Sequence, residues 1–193
     1  LSSAISSILA KYLCILLVGL AIKLMDDCLD EPMQDLADCC QQGAIAYALL
    51  ALATAAAIAS DTACSLFFAA YILGMAGDAT RPLASRLRGW EESLLVLGIG
   101  LASVGWRPLL AATSTLAAVQ LYDDFADVAV DARLGRVNLV RKWGYTECLL
   151  LLAISMATGA LLNPLQTLLV FLAVPPVLAL TRKTRREDEW VCT

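Results

Sequence analysis

The chain has 193 residues, 60% of them hydrophobic and 17% charged, with a mean hydropathy of +0.73 and a formal net charge of −4. Soluble domains are about 45–50% apolar and about 25% charged, so the apolar excess here must face lipid. The absence of histidine excludes Ser-His-Asp and Cys-His catalysis in their usual forms and any His-ligated metal site. The negative balance argues against nucleic acid as a partner.

In chain order, apolar runs at 4–25, 43–60, 62–77, 89–105, 108–123, 145–162 and 164–181 come near the length needed to cross about 30 Å of hydrocarbon. They are Leu/Ala-rich without period-2 alternation, which predicts helices rather than barrel strands. Ser60-Asp61 reads as a tight turn. Gly105-Trp106-Arg107-Pro108 and Asn163-Pro164 read as breakers followed by Pro at the start of the next helix. The predicted fold is therefore all-α: a polytopic membrane bundle of seven spans, forming a single domain over 1–193. The N-terminus has no basic segment followed by a small-residue cleavage site, so no signal peptide is expected.

The charges support this register. With seven spans, Lys23, Arg81, Arg86, Arg88, Arg133, Arg136, Arg141, Lys142, Arg182, Lys183, Arg185 and Arg186 fall on one face, which is 12 of the 14 basic residues. Only Lys11 and Arg107 lie toward the other. By the positive-inside rule the charged face is cytoplasmic, the N-terminus outside and the C-terminus inside. Of 18 Asp and Glu, only Asp61 falls on the outer face. Trp90, Trp106, Trp143 and Trp190 fall at span ends or beyond, as interfacial anchors do. The seven cysteines (Cys14, Cys28, Cys39, Cys40, Cys64, Cys148, Cys192) contain no Cys-x-x-Cys and read as small apolar residues in a reduced setting.

Two acidic motifs stand out. The first span ends in Leu24-Met25-Asp26-Asp27-Cys28-Leu29-Asp30. The fifth ends in Leu121-Tyr122-Asp123-Asp124-Phe125-Ala126-Asp127, followed by Asp131. Both read Leu-x-Asp-Asp-x-x-Asp, four spans apart, as in an internal repeat that brings 26–30 and 123–131 out on the same face. Asp26 and Asp30 are i,i+4, and Asp123, Asp127 and Asp131 form one stripe. Carboxylates crowded in this way repel one another unless cations are present. They could instead be solvated topological charges, but helix C-termini disfavour acids. An oxygen-only donor set suits Mg²⁺ bridging carboxylates to substrate phosphate oxygens. Arg81, Arg133 and Lys142 follow acidic motifs, and Lys23 lies one turn before Asp27 and inside its span, where it requires an anion. The tail Arg182–Arg186 reads as a lipid headgroup contact.

These residues resemble the UbiA superfamily of intramembrane prenyltransferases. The resemblance rests on Asp26-Asp27-Cys28-Leu29-Asp30 and Asp127-Val128-Ala129-Val130-Asp131. It extends to the run Ala132-Arg133-Leu134-Gly135-Arg136-Val137-Asn138-Leu139-Val140-Arg141-Lys142-Trp143-Gly144 and to Arg81-Pro82-Leu83-Ala84-Ser85. Against the family's usual nine spans, the seven read here would lack the first and the last, and Gln34 stands at the fourth acid of the first motif. The resemblance implies a Mg²⁺-dependent transferase moving a polyprenyl group from a polyprenyl diphosphate to an aromatic or lipid acceptor, in a cell membrane and facing the cytoplasm. It implies Asp26, Asp27, Asp30, Asp123, Asp124, Asp127 and Asp131 as metal ligands. Asp27, Asp30, Asp124, Asp127 and Asp131 would be catalytic, and Lys23, Arg81, Arg133, Lys142 and Tyr122 would contact substrate. A terpene cyclase would share the same site. A divalent-cation transporter would also place acids on helices, but nearer the bilayer midplane. The Asp-Gly-x-x-Ala-Arg signature of CDP-alcohol phosphotransferases is absent.

Overall fold

The computed structural model describes residues 2–30, 38–77, 86–134 and 138–191, with side chains described over 5–26, 43–75, 86–133 except Val130, and 138–180. Among these residues the fold is all-α. Its elements are α1 (Ser2–Asp30), α2 (Asp38–Gly77), α3 (Gly89–Ser103), α4 (Trp106–Leu134), α5 (Leu139–Trp143), α6 (Tyr145–Leu162) and α7 (Pro164–Val191). Three stretches are long and apolar enough to cross a membrane by length and composition: Ile5–Asp26, Gly43–Met75 and Tyr145–Leu162. Pro164–Leu180 is a shorter apolar helix.

Gly43–Met75 spans 33 residues but is broken near its centre. Ala59 has φ −153° and ψ 82°, and Asn163, the lone residue between α6 and α7, has φ −152° and ψ 80°. One non-helical residue with the same angles sets the same geometry between the helices that flank it. The turn at Asn163 folds back, since a Cβ on Gly159 would lie 3.1 Å from the Thr167 hydroxyl. The break at Ala59 is therefore a helical hairpin, one residue before the Ser60-Asp61 turn read from the sequence.

The chain divides into two compact units, residues 1–67 with 169–193, and residues 68–168. In the first, α1 runs antiparallel to the start of α2: Cys14 Sγ lies 3.6 Å from the Ala59 carbonyl oxygen, while Ala21 packs with Ala48 and Ala51. The same helix runs parallel to α7, with the Tyr12 hydroxyl donating to the Leu172 carbonyl at 3.3 Å and Gly19 against Val177. Hence Lys23 and Asp26 of α1, Asp38 of α2 and the basic tail of α7 lie toward one end of this unit.

In the second unit α2 and α3 run antiparallel. Ser93 Oγ donates to the Ile72 carbonyl, the Tyr71 hydroxyl donates to Glu92, and Gly100 approaches Phe68 and Leu109. Antiparallel α4 and α6 pair Thr115 with Gly159 and Phe125 with Tyr145, whose rings meet edge-on at 4.9 Å. These directions place every described charged residue of this unit at one end except Arg107, which stacks over Trp106 at the Gly105 turn.

The core is built from small side chains: Ala48, Ala55, Ala69, Ala112 and Ala118 are fully or nearly fully buried. On α6 the buried positions are Cys148, Ser155 and Gly159, while Leu150, Ile154 and Leu161 are 59%, 63% and 84% exposed. A water-soluble helix would have these the other way round. Close helix contacts through small residues, with large apolar side chains turned outward, are the pattern of lipid-embedded helices.

Candidate functional site

The second acidic motif sits within α4, which continues to Leu134, well past the apolar run that was predicted to end at 123. Asp123, Asp124 and Asp127 are therefore not helix-terminal, contrary to the sequence expectation. Asp123 and Asp124 lie more than two turns before the end, beyond the reach of the terminal dipole, which fades within the last turn. Asp124, Asp127 and Asp131 are spaced i, i+3, i+7 along one face. Asp124 and Asp131 are half-buried, and Asp123 and Asp127 exposed.

The chain folds back over this face after α4. Asn138 is buried at 3% exposure and uses its amide in both directions. Its Nδ2 donates to the Asp124 carbonyl oxygen at 2.8 Å and to Asp131 Oδ2 at 2.9 Å. Its Oδ1 accepts from Val140 N at 3.0 Å and Arg141 N at 3.4 Å, capping α5. The Leu139 N–H donates to Asp124 Oδ2 at 3.2 Å. One oxygen of each of two motif carboxylates is thus committed to holding α5. Below this contact Leu121, Val140 and Cys148 form a buried cluster, joined by Phe125 and Leu152. Gly144 closes α5 with φ +108° and an N–H bonded to the Val140 carbonyl, a conformation accessible to glycine.

Burial pushes the Asp124 carboxyl above its usual value. The Leu139 N–H pulls it down, and the negative charges of Asp123, Asp131 and Asp127 raise it further. The other three carboxylates of the motif therefore bear on Asp124, so a cation beside it would be favourable.

The other sequence-predicted residues are placed as follows. Lys23 and Asp26 form an ion pair at 3.8 Å, so the anion that Lys23 requires is supplied by its own helix. Asp27 and Asp30 belong to the last turns of α1, with side chains outside the described residues. Arg81 also lies outside the described residues. Arg133 is exposed in the last turn of α4, Lys142 exposed in the last turn of α5, and Tyr122 60% exposed. Among the described residues no three His, Cys, Asp or Glu side chains are grouped to hold a metal ion. Asn138 was absent from the predicted set. Its signal was an Asn before a short run that ends in Gly144, the signature of a capped helical turn.

No family model, curated protein or solved structure matches the sequence.

Proposed function

We propose that this protein is a Mg²⁺-dependent intramembrane prenyltransferase, with seven spans, the N-terminus outside and the acidic face of α4 open to the cytoplasm. The topology draws support from parallel α1 and α7, which an odd number of spans requires, and from the hairpin at Ala59. The gathering of the described charges of the second unit at one end, Arg107 excepted, favours it too.

The observation that carries the functional reading is the half-buried Asp124, sharing one helix face with Asp127 and Asp131 and loaded by three neighbouring carboxylates. Mg²⁺ fits this donor set in kind. It takes oxygen ligands and usually needs only one or two carboxylates, completing its shell with water and substrate phosphate oxygens. The free oxygens of Asp124 and Asp131 and the exposed carboxylate of Asp127 are the candidate ligands, with Asp123 beside them. Asp26, Asp27 and Asp30 are assigned the same ligand role. When bound, the metal would neutralise charge on the diphosphate leaving group.

The protein groups then have separate tasks. Asp131 and Asp124 hold fixed carboxylate directions because Asn138 and the Leu139 N–H restrain them. Arg133, Lys23 and Arg81 are the candidate donors to phosphate oxygens. As the allylic C–O bond breaks, the electron pair leaves with the diphosphate. The acceptor's nucleophilic atom bonds to the prenyl carbon and gives up a proton. Apolar helix faces would cover the isoprenoid chain and exclude water. The position of the acids beyond the apolar part of α4, rather than at its middle, favours this reading over a conduction path for cations.

The test is turnover of a labelled polyprenyl diphosphate by the protein in lipid, with products identified by mass spectrometry. Mg²⁺-dependent prenylation or cyclisation supports the reading. Cation flux in liposomes without substrate chemistry refutes it.

A further inference from the structure

A different surface of the second unit has no task in this chemistry. The helix α5 has an inner and an outer side. Val140 is buried and Asn138 is clamped to α4, while Arg141, Lys142 and Trp143 are exposed. Tyr145, two residues further on, is 66% exposed and Trp143 is 53% exposed. The Arg141 and Lys142 side chains make no ion pair among the described residues. Two cations and two amphipathic rings are thus displayed within five residues on a support held by side-chain hydrogen bonds and a buried cluster.

The position of this surface identifies what it meets. Gly144 joins α5 directly to α6, and α6 is an 18-residue apolar helix of membrane-spanning length. A segment at the end of such a helix lies at headgroup level, where Trp and Tyr are enriched and where Lys and Arg attract anionic lipid. Asp124 and Asp131 are bonded on the inner side. The Glu147 carboxylate lies beside Gly144 and offsets one of the two charges, so Arg141 and Lys142 leave the surface net positive.

We propose that α5 and its flanks form a contact surface for the anionic headgroups of the adjoining leaflet, with Arg141 and Lys142 as the charges and Trp143 and Tyr145 as the interfacial anchors. The inference rests on α6 crossing the bilayer and not on prenyl transfer. It removes Lys142 from the substrate-binding set. The headgroup contact would hold the far side of the Asn138 clamp and so stabilise the acidic face of α4.

The test uses the full chain with Trp143 as its single tryptophan (Trp90→Phe, Trp106→Phe, Trp190→Phe) in nanodiscs of phosphatidylcholine. Spin-labelled quencher lipid is added at equal mole fraction with either a phosphatidylglycerol or a phosphatidylcholine headgroup. The anionic quencher should be preferred by about tenfold at low salt, and less as salt rises. Arg141→Gln with Lys142→Gln should bring the two quenchers to parity. Equal quenching in the unsubstituted-charge protein, or a preference that survives the double Gln change, overturns the proposal. So does loss of the preference on adding inorganic pyrophosphate at an ionic strength held constant with sodium chloride, which would return these charges to a free-diphosphate site. Native mass spectrometry on the otherwise unaltered chain gives a reading that needs no Trp replacement. The natural sequence should retain anionic lipid that the double Gln variant loses, and equal retention counts against the surface. Neither readout involves turnover, so this proposal and the prenyltransferase reading stand or fall separately.

Discussion

Replacing Asn138 by Ala removes a side chain that ties the acidic face of α4 to α5. Four contacts go with it: Nδ2 to the Asp124 carbonyl at 2.8 Å, Nδ2 to the Asp131 carboxylate at 2.9 Å, and Oδ1 to the amides of Val140 at 3.0 Å and Arg141 at 3.4 Å. Loss of an N-cap costs about 1 kcal/mol. A hydrogen bond to a charged acceptor contributes about 1.5–3 kcal/mol and a neutral one about 1 kcal/mol. The contacts share one residue and are not additive, so a combined loss of about 3 kcal/mol is reasonable. The loss falls on a peripheral element and should appear as local opening rather than global unfolding. Backbone amide exchange at Leu139, Val140 and Arg141 should therefore quicken by about 100-fold, at about 1.4 kcal/mol per decade, with α6 interior amides unchanged. Asn138→Asp keeps the cap acceptor but sets a third carboxylate between Asp124 and Asp131. It should open α5 further at neutral pH and recover as acidification protonates the group. Exchange at Leu139 and Val140 that rises less than threefold in the Ala variant would refute the clamp.

Three other outcomes follow from the same geometry. Asp124 has a raised carboxyl pKa, so the folded state binds its proton more tightly than the unfolded one. Stability then falls as pH rises from the ordinary carboxylate range through the folded-state value. Carboxyl NMR of Asp124 should show the raised titration and its downward shift on adding Mg²⁺; an unshifted titration would count against metal binding at this face. Gly159→Ala would set a Cβ 2.6 Å from the Thr115 hydroxyl, which is fully buried and bonded to Thr167 at 3.0 Å. Overpacking of this kind costs about 1–3 kcal/mol, and the melting temperature in detergent should drop. Gly74→Ala meets open space and should not lower it. Gly144→Ala places a side chain at φ +108° and should destabilise the junction of α5 and α6 by about 1–3 kcal/mol, measurable by exchange at Val140.

The helical runs were legible in the sequence because apolar stretches, Gly105 and Asn163-Pro164 mark them directly. The hairpin in α2 was legible too, though its turn residue is Ala59, whose unremarkable side chain carries no turn signal. What could not be read was the continuation of α4 through four aspartates to Leu134. Hydropathy falls at Asp123 whether or not the backbone stays helical. The helix α5 was hidden for a related reason. Its N-cap is visible in Asn138, but the amide's other partners, Asp124 and Asp131, are set by the chain folding back and not by spacing along it. The spacing put the aspartates of the second motif near one another, and Asp123, Asp127 and Asp131 do bear on Asp124. It could not reveal that one oxygen on each of two members is committed to holding the fold. Lys23 shows the converse: its place inside the apolar run called for an anion, and Asp26, three residues on, supplies one.

The most direct measurement is turnover of a labelled polyprenyl diphosphate by the reconstituted protein, with and without Mg²⁺, for the natural sequence and for Asp27→Ala, Asp124→Asn and Asp127→Ala. Asp124→Asn keeps an acceptor for the Leu139 N–H, so loss of turnover in that variant reports the missing charge and not a lost contact. The account predicts prenyl product that requires Mg²⁺ and falls at least 100-fold in each variant, the scale on which removing a charge-stabilising group acts. Mg²⁺-dependent turnover that persists in all three would contradict it.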